Sequence, residues 1–150
     1  MVVTVSADIS AAPQRLWDLL TDWENQGEWM REASDFEVTS PHRSGVGVTV
    51  ATTVRIAGIA TRDRIRVDVW DPPNGSSPAH LGIEHLGWVK GRGDIHLTEL
   101  PNTRTHLAWT EHLHPPLGLV GTLGMRLLTP LFTHTFHQDL ARLRSAAEPS

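Results

Sequence analysis

The sequence predicts a single α+β domain in which one curved β-sheet packs against a long C-terminal helix. Three observations support this prediction. An alternating, β-branched segment at the N-terminus leads directly into a helix that begins at a proline. Alternating segments then recur from Phe36 to about Leu113. The chain closes with residues 118–146, in which apolar side chains recur at three and four positions, the spacing of a helix.

The N-terminal segment predicts one strand and two short helices. Residues 3, 5, 7 and 9 are apolar and alternate with polar residues, which is typical of a strand with one buried face. Pro13 presets the first helical turn, and the helix that follows has a buried stripe made of Leu16, Trp17, Leu19 and Leu20. Thr21 or Asp22 is a candidate cap for a second helical segment over residues 24–28.

The middle of the chain predicts six further strands. Alternating apolar and polar residues place them at about residues 36–39, 48–56, 61–70, 79–88, 90–100 and 103–113. Ala57 and Gly58 form a tight connection, and residues 71–78 form a loop that is rich in proline, glycine and serine. No internal repeat or linker divides the chain, so we expect one domain over residues 1–150, with a disordered tail from about residue 146.

The last helix is expected to be about 43 Å long, at about 1.5 Å per residue. Pro130 removes a backbone donor inside it, which predicts a kink. Gly118, Gly121 and Gly124 weaken its first turns. These glycines favour two interpretations equally: a flexible lid that acts with the hairpin at Ala57, or simple close packing.

Composition excludes several classes of function. The net charge of −4 argues against binding to a nucleic-acid backbone, which normally requires a basic surface. No apolar run is long enough for a membrane span, so integral membrane association is not expected. The chain contains no cysteine, which excludes disulfides, thiolate nucleophiles and Cys-ligated zinc. The N-terminus is unlike a signal peptide, so the expected compartment is the cytoplasm.

The opening of the chain and the end of the last predicted strand resemble one protein family. The matching residues are Ala11-Ala12-Pro13, Leu16-Trp17-Asp18-Leu19-Leu20-Thr21-Asp22-Trp23, Trp29, and Leu107-Ala108-Trp109-Thr110-Glu111. This pattern resembles the START-like (SRPBCC) superfamily, specifically its polyketide cyclase/dehydrase and lipid-transport group, over essentially the whole chain. The resemblance implies a helix-grip fold: a seven-stranded antiparallel sheet around the C-terminal helix, with an apolar cavity between them. It implies ligand binding more broadly than catalysis.

Strand periodicity predicts which side chains face such a cavity. The aliphatic face of each strand is taken as the concave one. On this face four polar or amphipathic residues interrupt the aliphatic pattern: Thr52, His85, Trp109 and Glu111. The predicted ligand-binding residues are Thr52, Val54, Val67, Ile83, His85, Leu97, Trp109, Glu111, Leu123 and Leu127.

His85 and Glu111 are the candidate chemical groups. An imidazole and a carboxylate in an apolar chamber are able to act as general base and acid, because burial and pairing move their pKa values toward neutrality. They are equally suited to orienting the carbonyl or hydroxyl group of a ligand. A third interpretation is a structural pair, bonded to each other or to water. Trp109 offers a ligand a flat apolar wall and one N–H donor.

A metal site is not expected, although the chain has nine histidines. His112 and His114 share the strand face opposite to Glu111, which is the predicted outer surface. His134 and His137 lie about one helical turn apart, but a catalytic zinc site also requires a third ligand. No cofactor is predicted either.

Three functions are consistent with the sequence. The first is binding of a small hydrophobic molecule, such as a lipid, an isoprenoid or a polyketide-like compound. The second is a cyclase or dehydratase that uses His85 and Glu111. The third is a protein-interaction or toxin-like regulatory domain with a vestigial cavity, whose protein partner the sequence does not identify.

Overall fold

The computed structural model describes residues 1–149. One antiparallel sheet of seven strands has the order β1-β7-β6-β5-β4-β3-β2, and it curves around the last helix. The elements in chain order are β1 (Val2–Ile9), α1 (Pro13–Leu20), a short 3₁₀ helix (Trp23–Glu28), β2 (Ala33–Val38), β3 (Thr49–Ile56), β4 (Ile59–Asp71), β5 (Ala79–His85), β6 (Lys90–Leu100), β7 (Arg104–His114) and α2 (Gly118–Ala147). This architecture confirms the predicted α+β helix-grip fold.

The second helical segment differs in detail from the prediction. It is a 3₁₀ helix that begins at Trp23, and neither predicted cap makes a capping hydrogen bond. The Asp22 carboxylate accepts a hydrogen bond from Asn25 at 2.9 Å, and the Thr21 hydroxyl donates back to the carbonyl of Trp17 at 2.8 Å. The buried Gln26 amide donates to the carbonyl of Leu20 at 2.6 Å, which ties the segment to the end of α1.

A bulge in β4 changes which residues face the helix. The pairing of β4 with β5 shifts register between Val67 and Val69, so the strict alternation predicted for this strand ends there. Beyond the bulge it is Trp70, not Val69, whose side chain packs on the core. The ring of Trp70 meets that of Trp17 edge-on, with 5.1 Å between centroids. This contact joins β4 to α1.

Helix α2 runs without interruption from Gly118 to Ala147, through Pro130. It begins at a strained corner, because Leu117 has the left-handed backbone conformation (φ 67°). Gly121 is required at this corner, since a Cβ there would overlap the carbonyl of Pro116. This observation favours close packing for that glycine. Within residues 1–149, no helix combines the length and the apolar character needed to cross a membrane.

At the end of the chain α2 continues into the predicted tail. Residues 146 and 147 belong to α2. The Glu148 carboxylate accepts hydrogen bonds from the backbone N–H of Ser10 at 2.8 Å and from Arg144 at 3.0 Å. This carboxylate joins the helix end to the residue that follows β1, and disorder of the tail stays a prediction. For Ser150 the prediction falls outside the described residues.

Candidate ligand cavity

A cavity of about 420 Å³ lies between the concave face of the sheet and α2. Its walls are mainly aliphatic and aromatic. One end is closed by the core around α1. The open end, called the mouth below, is framed by the β3–β4 hairpin, the β5–β6 hairpin and the β7–α2 corner, which contribute Ile59, Trp88 and Leu117 to the lining. The volume is within the usual range of small-molecule sites, roughly 300–1,000 Å³.

Six of the ten predicted ligand-binding residues line this cavity: Thr52, Val54, Ile83, His85, Trp109 and Glu111. They come from β3, β5 and β7, where strand periodicity identified the inward face. The Thr52 hydroxyl is already engaged, since it donates to the carbonyl of Ser34 at 2.8 Å. Their contact with a ligand stays a prediction.

The other four predicted residues lie elsewhere, which corrects the sequence analysis. Val67 and Leu97 are buried in the packed core and do not reach the cavity. Leu123 and Leu127 point to solvent, with 62% and 76% of their surface exposed. The apolar residues of α2 lie on more than one side of the helix, so their spacing did not identify the side that faces the sheet. The inward side carries Met125, and Phe132 and Phe136 follow about two and three turns later.

The candidate pair is part of a three-residue ionic network. His85 Nε2 lies 3.0 Å from Glu111 Oε2, and His85 Nδ1 lies 2.9 Å from Asp63 Oδ2. Both ring nitrogens therefore face carboxylate oxygens. With both carboxylates ionised, both nitrogens donate, and only the doubly protonated imidazolium has two N–H donors, so this arrangement favours a charged His85.

The remaining carboxylate oxygens of the network also have partners. Glu111 Oε1 accepts the indole N–H of Trp109 at 2.8 Å. Asp63 Oδ1 accepts the backbone N–H groups of Arg64 at 2.8 Å and of Gly87 at 3.1 Å. Burial by itself would lower the pKa of His85, but the hydrogen bonds to Asp63 and Glu111 and their negative charges outweigh it and raise that pKa to about 10.

Two glycines make room for this network. Gly93 lies opposite Glu111 on the neighbouring strand, and a Cβ at Gly93 would come within 2.6 Å of Glu111 Oε1. A Cβ at Gly87 would overlap Asp63 Oδ1. The glycines of the β5–β6 region therefore have a packing role: they let two carboxylates lie flat against the sheet.

Sequence reasoning missed Asp63, although its signal was present. Asp63 shares the odd-numbered phase of Ile65 and Val67, and so lies on the inward face of β4. In the sheet His85 lies opposite Ile65, two residues from Asp63. An inward carboxylate so close to an inward histidine indicates an internal ion pair.

A second polar cluster lies where α2 meets the start of β2. Asp139 is fully buried, forms an ion pair with Arg142, and accepts the backbone N–H of Arg31 at 3.4 Å. Arg142 also donates to the carbonyl of Trp29 at 2.9 Å. Glu32, which lines the cavity, completes the cluster.

Glu32 is held in its protonated form. Burial, a hydrogen bond to Asp139 and the negative charge of Asp139 raise the pKa of Glu32 to about 9. Within residues 1–149, Glu32 Oε2 and Asp139 Oδ2 are both buried and have no hydrogen-bond partner in the structure. One proton shared between these two carboxyl groups would satisfy both oxygens.

The histidines considered for metal binding lie apart from the cavity. His112, His114, His134 and His137 are all exposed. Among residues 1–149 there is no group of three or more His, Asp or Glu side chains arranged to hold a metal ion.

The fold and the cavity together define a START-like helix-grip protein. Two solved structures share this fold with a TM-score of 0.80: TTHA0849 from Thermus thermophilus, 19% identical over 97% of this chain and 95% of that one, and the Zhui aromatase/cyclase from Streptomyces sp. R1128, 17% identical over 98% and 93%. A START superfamily protein from Mycobacterium smegmatis has a TM-score of 0.77, at 15% identity over 97% and 96%.

The chain belongs to the family described as polyketide cyclase/dehydrase and lipid transport, whose model matches residues 1–148. A curated relative, an uncharacterized protein of Mycobacterium tuberculosis strain H37Rv, is 33% identical over 72 residues. That match spans 48% of this chain and 50% of the relative, so it covers about half of the relative's length.

Proposed function

We propose that the protein binds a small hydrophobic molecule, of the lipid, isoprenoid or aromatic polyketide class, inside the cavity. The observation that carries the proposal is the apolar space of about 420 Å³ between the sheet and α2. Transfer of apolar ligand surface from water into this space contributes about 25 cal/mol per Å². The cytoplasmic compartment stays a prediction.

The walls favour a ligand with a ring or a conjugated chain. Trp109 lies beside Phe136, with ring centroids 4.9 Å apart, and meets Trp29 edge-on at 6.2 Å. Flat aromatic walls of this kind pack well against planar apolar molecules.

The polar network favours a ligand that also carries a hydroxyl group. The buried carboxylate of Glu111 has more lone pairs than its two partners, Trp109 and His85, occupy. A ligand hydroxyl that donates to Glu111 would fix the orientation of the molecule, as a few polar groups do in most apolar sites.

The cyclase or dehydratase alternative is second, because the histidine is poorly suited to proton abstraction. Both nitrogens of His85 are engaged with carboxylates. A protonated imidazole has no lone pair with which to act as a base, and a pKa of about 10 makes it a weak acid at neutral pH. Glu111 is the group left for such a reaction. The third alternative, an interaction domain with a vestigial cavity, is disfavoured because the cavity is open.

Native mass spectrometry of protein purified from cell extract tests the binding proposal. We expect a co-bound small apolar molecule that is released on denaturation. The Ile83→Trp variant should carry much less of the co-bound molecule, because the larger side chain fills the cavity from β5. The matched control is Val46→Trp, at a position that is 63% exposed and does not line the cavity; it should retain the ligand.

Two outcomes would contradict the proposal. One is a wild-type protein that carries no small molecule and takes up none from a panel of lipids, isoprenoids and aromatic polyketides. The other is an Ile83→Trp variant that folds, as judged by circular dichroism, and binds the same molecule as the wild type. Turnover of a panel compound that is abolished by Glu111→Gln would support the enzymatic alternative.

A further inference from the structure

Most of the large apolar side chains that are exposed to solvent lie at the mouth of the cavity or on the neighbouring first half of α2. These two regions hold nine of the eleven such residues in the described part of the chain, and the other two are Val2 and Val46. Four of the nine also line the mouth: Ile59, Trp88, Leu117 and Leu128. Single exposed apolar residues are normal on a protein surface, whereas a concentrated patch of this kind marks a binding surface.

The other five form a stripe on the outer face of α2, made of Leu119, Val120, Leu123, Leu127 and Leu131. Their spacing of three and four residues keeps them on one side of the helix. The strained conformation of Leu117 turns the chain at the start of this stripe, and its side chain is 71% exposed. The mouth lining and the stripe together are called the apolar rim below.

The charges around the apolar rim have one sign. The two hairpin segments at the mouth, residues 55–62 and 86–92, and the first half of α2, residues 118–132, contain five of the 13 Lys and Arg residues of the chain and none of its 17 Asp and Glu residues. Two of the five, Arg62 and Arg92, pair with carboxylates outside these segments. Arg55, Lys90 and Arg126 are exposed, and none of them forms an ion pair within residues 1–149. A chain with a net charge of −4 therefore has a cationic mouth.

We propose that the apolar rim docks onto the surface of an anionic lipid bilayer, with the cavity mouth facing the membrane. Leucines and one exposed tryptophan would enter the interfacial region, where indole rings are favoured. The three free cations would contact anionic headgroups. A lipophilic molecule would then pass between bilayer and cavity without crossing water.

A second copy of the chain fits this surface less well. A symmetric pair would bring the rim of one copy against the same rim of the other. Arg55, Lys90 and Arg126 of each copy would face like charges with no carboxylate on either side of the contact. An anionic membrane matches both the apolar character and the charge of the rim.

Co-sedimentation with vesicles tests the proposal without any ligand. We expect binding to vesicles of phosphatidylcholine and phosphatidylglycerol, and weaker, salt-insensitive binding to phosphatidylcholine alone. The Leu123→Glu/Leu127→Glu variant should bind at least about tenfold more weakly, because both side chains are already exposed and the fold does not need them. Val46→Glu/Thr98→Glu, which adds the same charge at two exposed positions away from the rim, should bind as the wild type does.

Fluorescence locates the contact. Trp88 is 58% exposed, whereas the other five tryptophans are buried or half-buried. Brominated lipids should quench Trp88, and Trp88→Phe should remove that quenching. The docking proposal does not depend on the proposed ligand, because the cavity-filled Ile83→Trp variant should still bind vesicles.

Three results would overturn docking: no binding to anionic vesicles, equal loss in the Val46→Glu/Thr98→Glu control, or a dimer in solution that Leu123→Glu/Leu127→Glu dissociates. The last result would assign the rim to a second copy of the chain.

Discussion

The first half of α2, residues 118–132, has more large apolar residues than the second half, residues 133–147, yet it buries fewer of them. In the second half, Phe136, Leu140, Leu143 and Ala147 are buried against the sheet and α1. In the first half only Met125 is buried, and most of the leucines face solvent. The second half completes the core, whereas the first half covers a cavity and carries the apolar rim.

The difference shows that a leucine-rich helix does not reveal its role through composition. Where the facing strands offer a filled core, a leucine side chain adds to stability. Where the sheet leaves a cavity, the inward side chains of the helix line that space and the outward ones stay exposed. The helix is therefore held firmly at its C-terminal end and covers the cavity with its N-terminal end.

The largest expected effect compares one leucine from each half. Leu143→Ala should lower the free energy of unfolding by about 2–5 kcal/mol, because the side chain is only 1% exposed and its loss leaves a cavity in the core. Leu123→Ala should change it by no more than about 0.5 kcal/mol. Chemical denaturation of both variants measures this. Equal losses would mean that the two halves are packed alike.

An effect that is smaller per pH unit arises from the buried carboxyl pair that anchors the second half. The pKa of Glu32 rises from 4.5 to about 9 on folding, so the folded state binds a proton that the unfolded state releases. This contribution to stability is complete below about pH 4.5 and is lost as the pH rises toward 9, by at most about 1.4 kcal/mol per pH unit.

The Glu32→Gln variant isolates this contribution. The amide of the variant can donate to Asp139 and has no titratable proton. The wild type should therefore lose stability relative to the variant as the pH rises. Unfolding curves between pH 4.5 and 6.5 are the sharpest measurement, because the raised pKa of His85 causes a similar loss only between about 6.5 and 10. A difference that stays constant across this range would exclude the shared proton.

The smallest expected effect concerns local opening of the helix. Amides in the exposed first half should exchange with solvent at least about tenfold faster than those around Leu140 and Leu143, because fewer buried contacts hold that segment. Hydrogen exchange followed by mass spectrometry or NMR resolves the two segments. Uniform protection along α2 would mean that the helix opens only as one unit.

The sequence predicted the fold well and the site in part. Period-2 alternation identified the inward face of β3, β5 and β7, so His85 and Glu111 were expected on one surface, and the structure places them 3.0 Å apart. Asp63 was missed although its strand phase indicated an inward position. Glu32 and Asp139 could not be identified in this way, because their neighbours come from other elements. The β4 bulge moved Trp70 inward, since one extra residue reverses the phase of a strand.

The sequence by itself determined the order of elements, the inward phase of most strands and the family, because these depend on local periodicity and on short motifs. Only the tertiary structure decided which side of α2 faces the sheet, how two carboxylates hold a charged His85, and where the apolar rim lies. These features depend on contacts between residues that are far apart in the chain, and the residue pattern of one element does not specify which element packs against it.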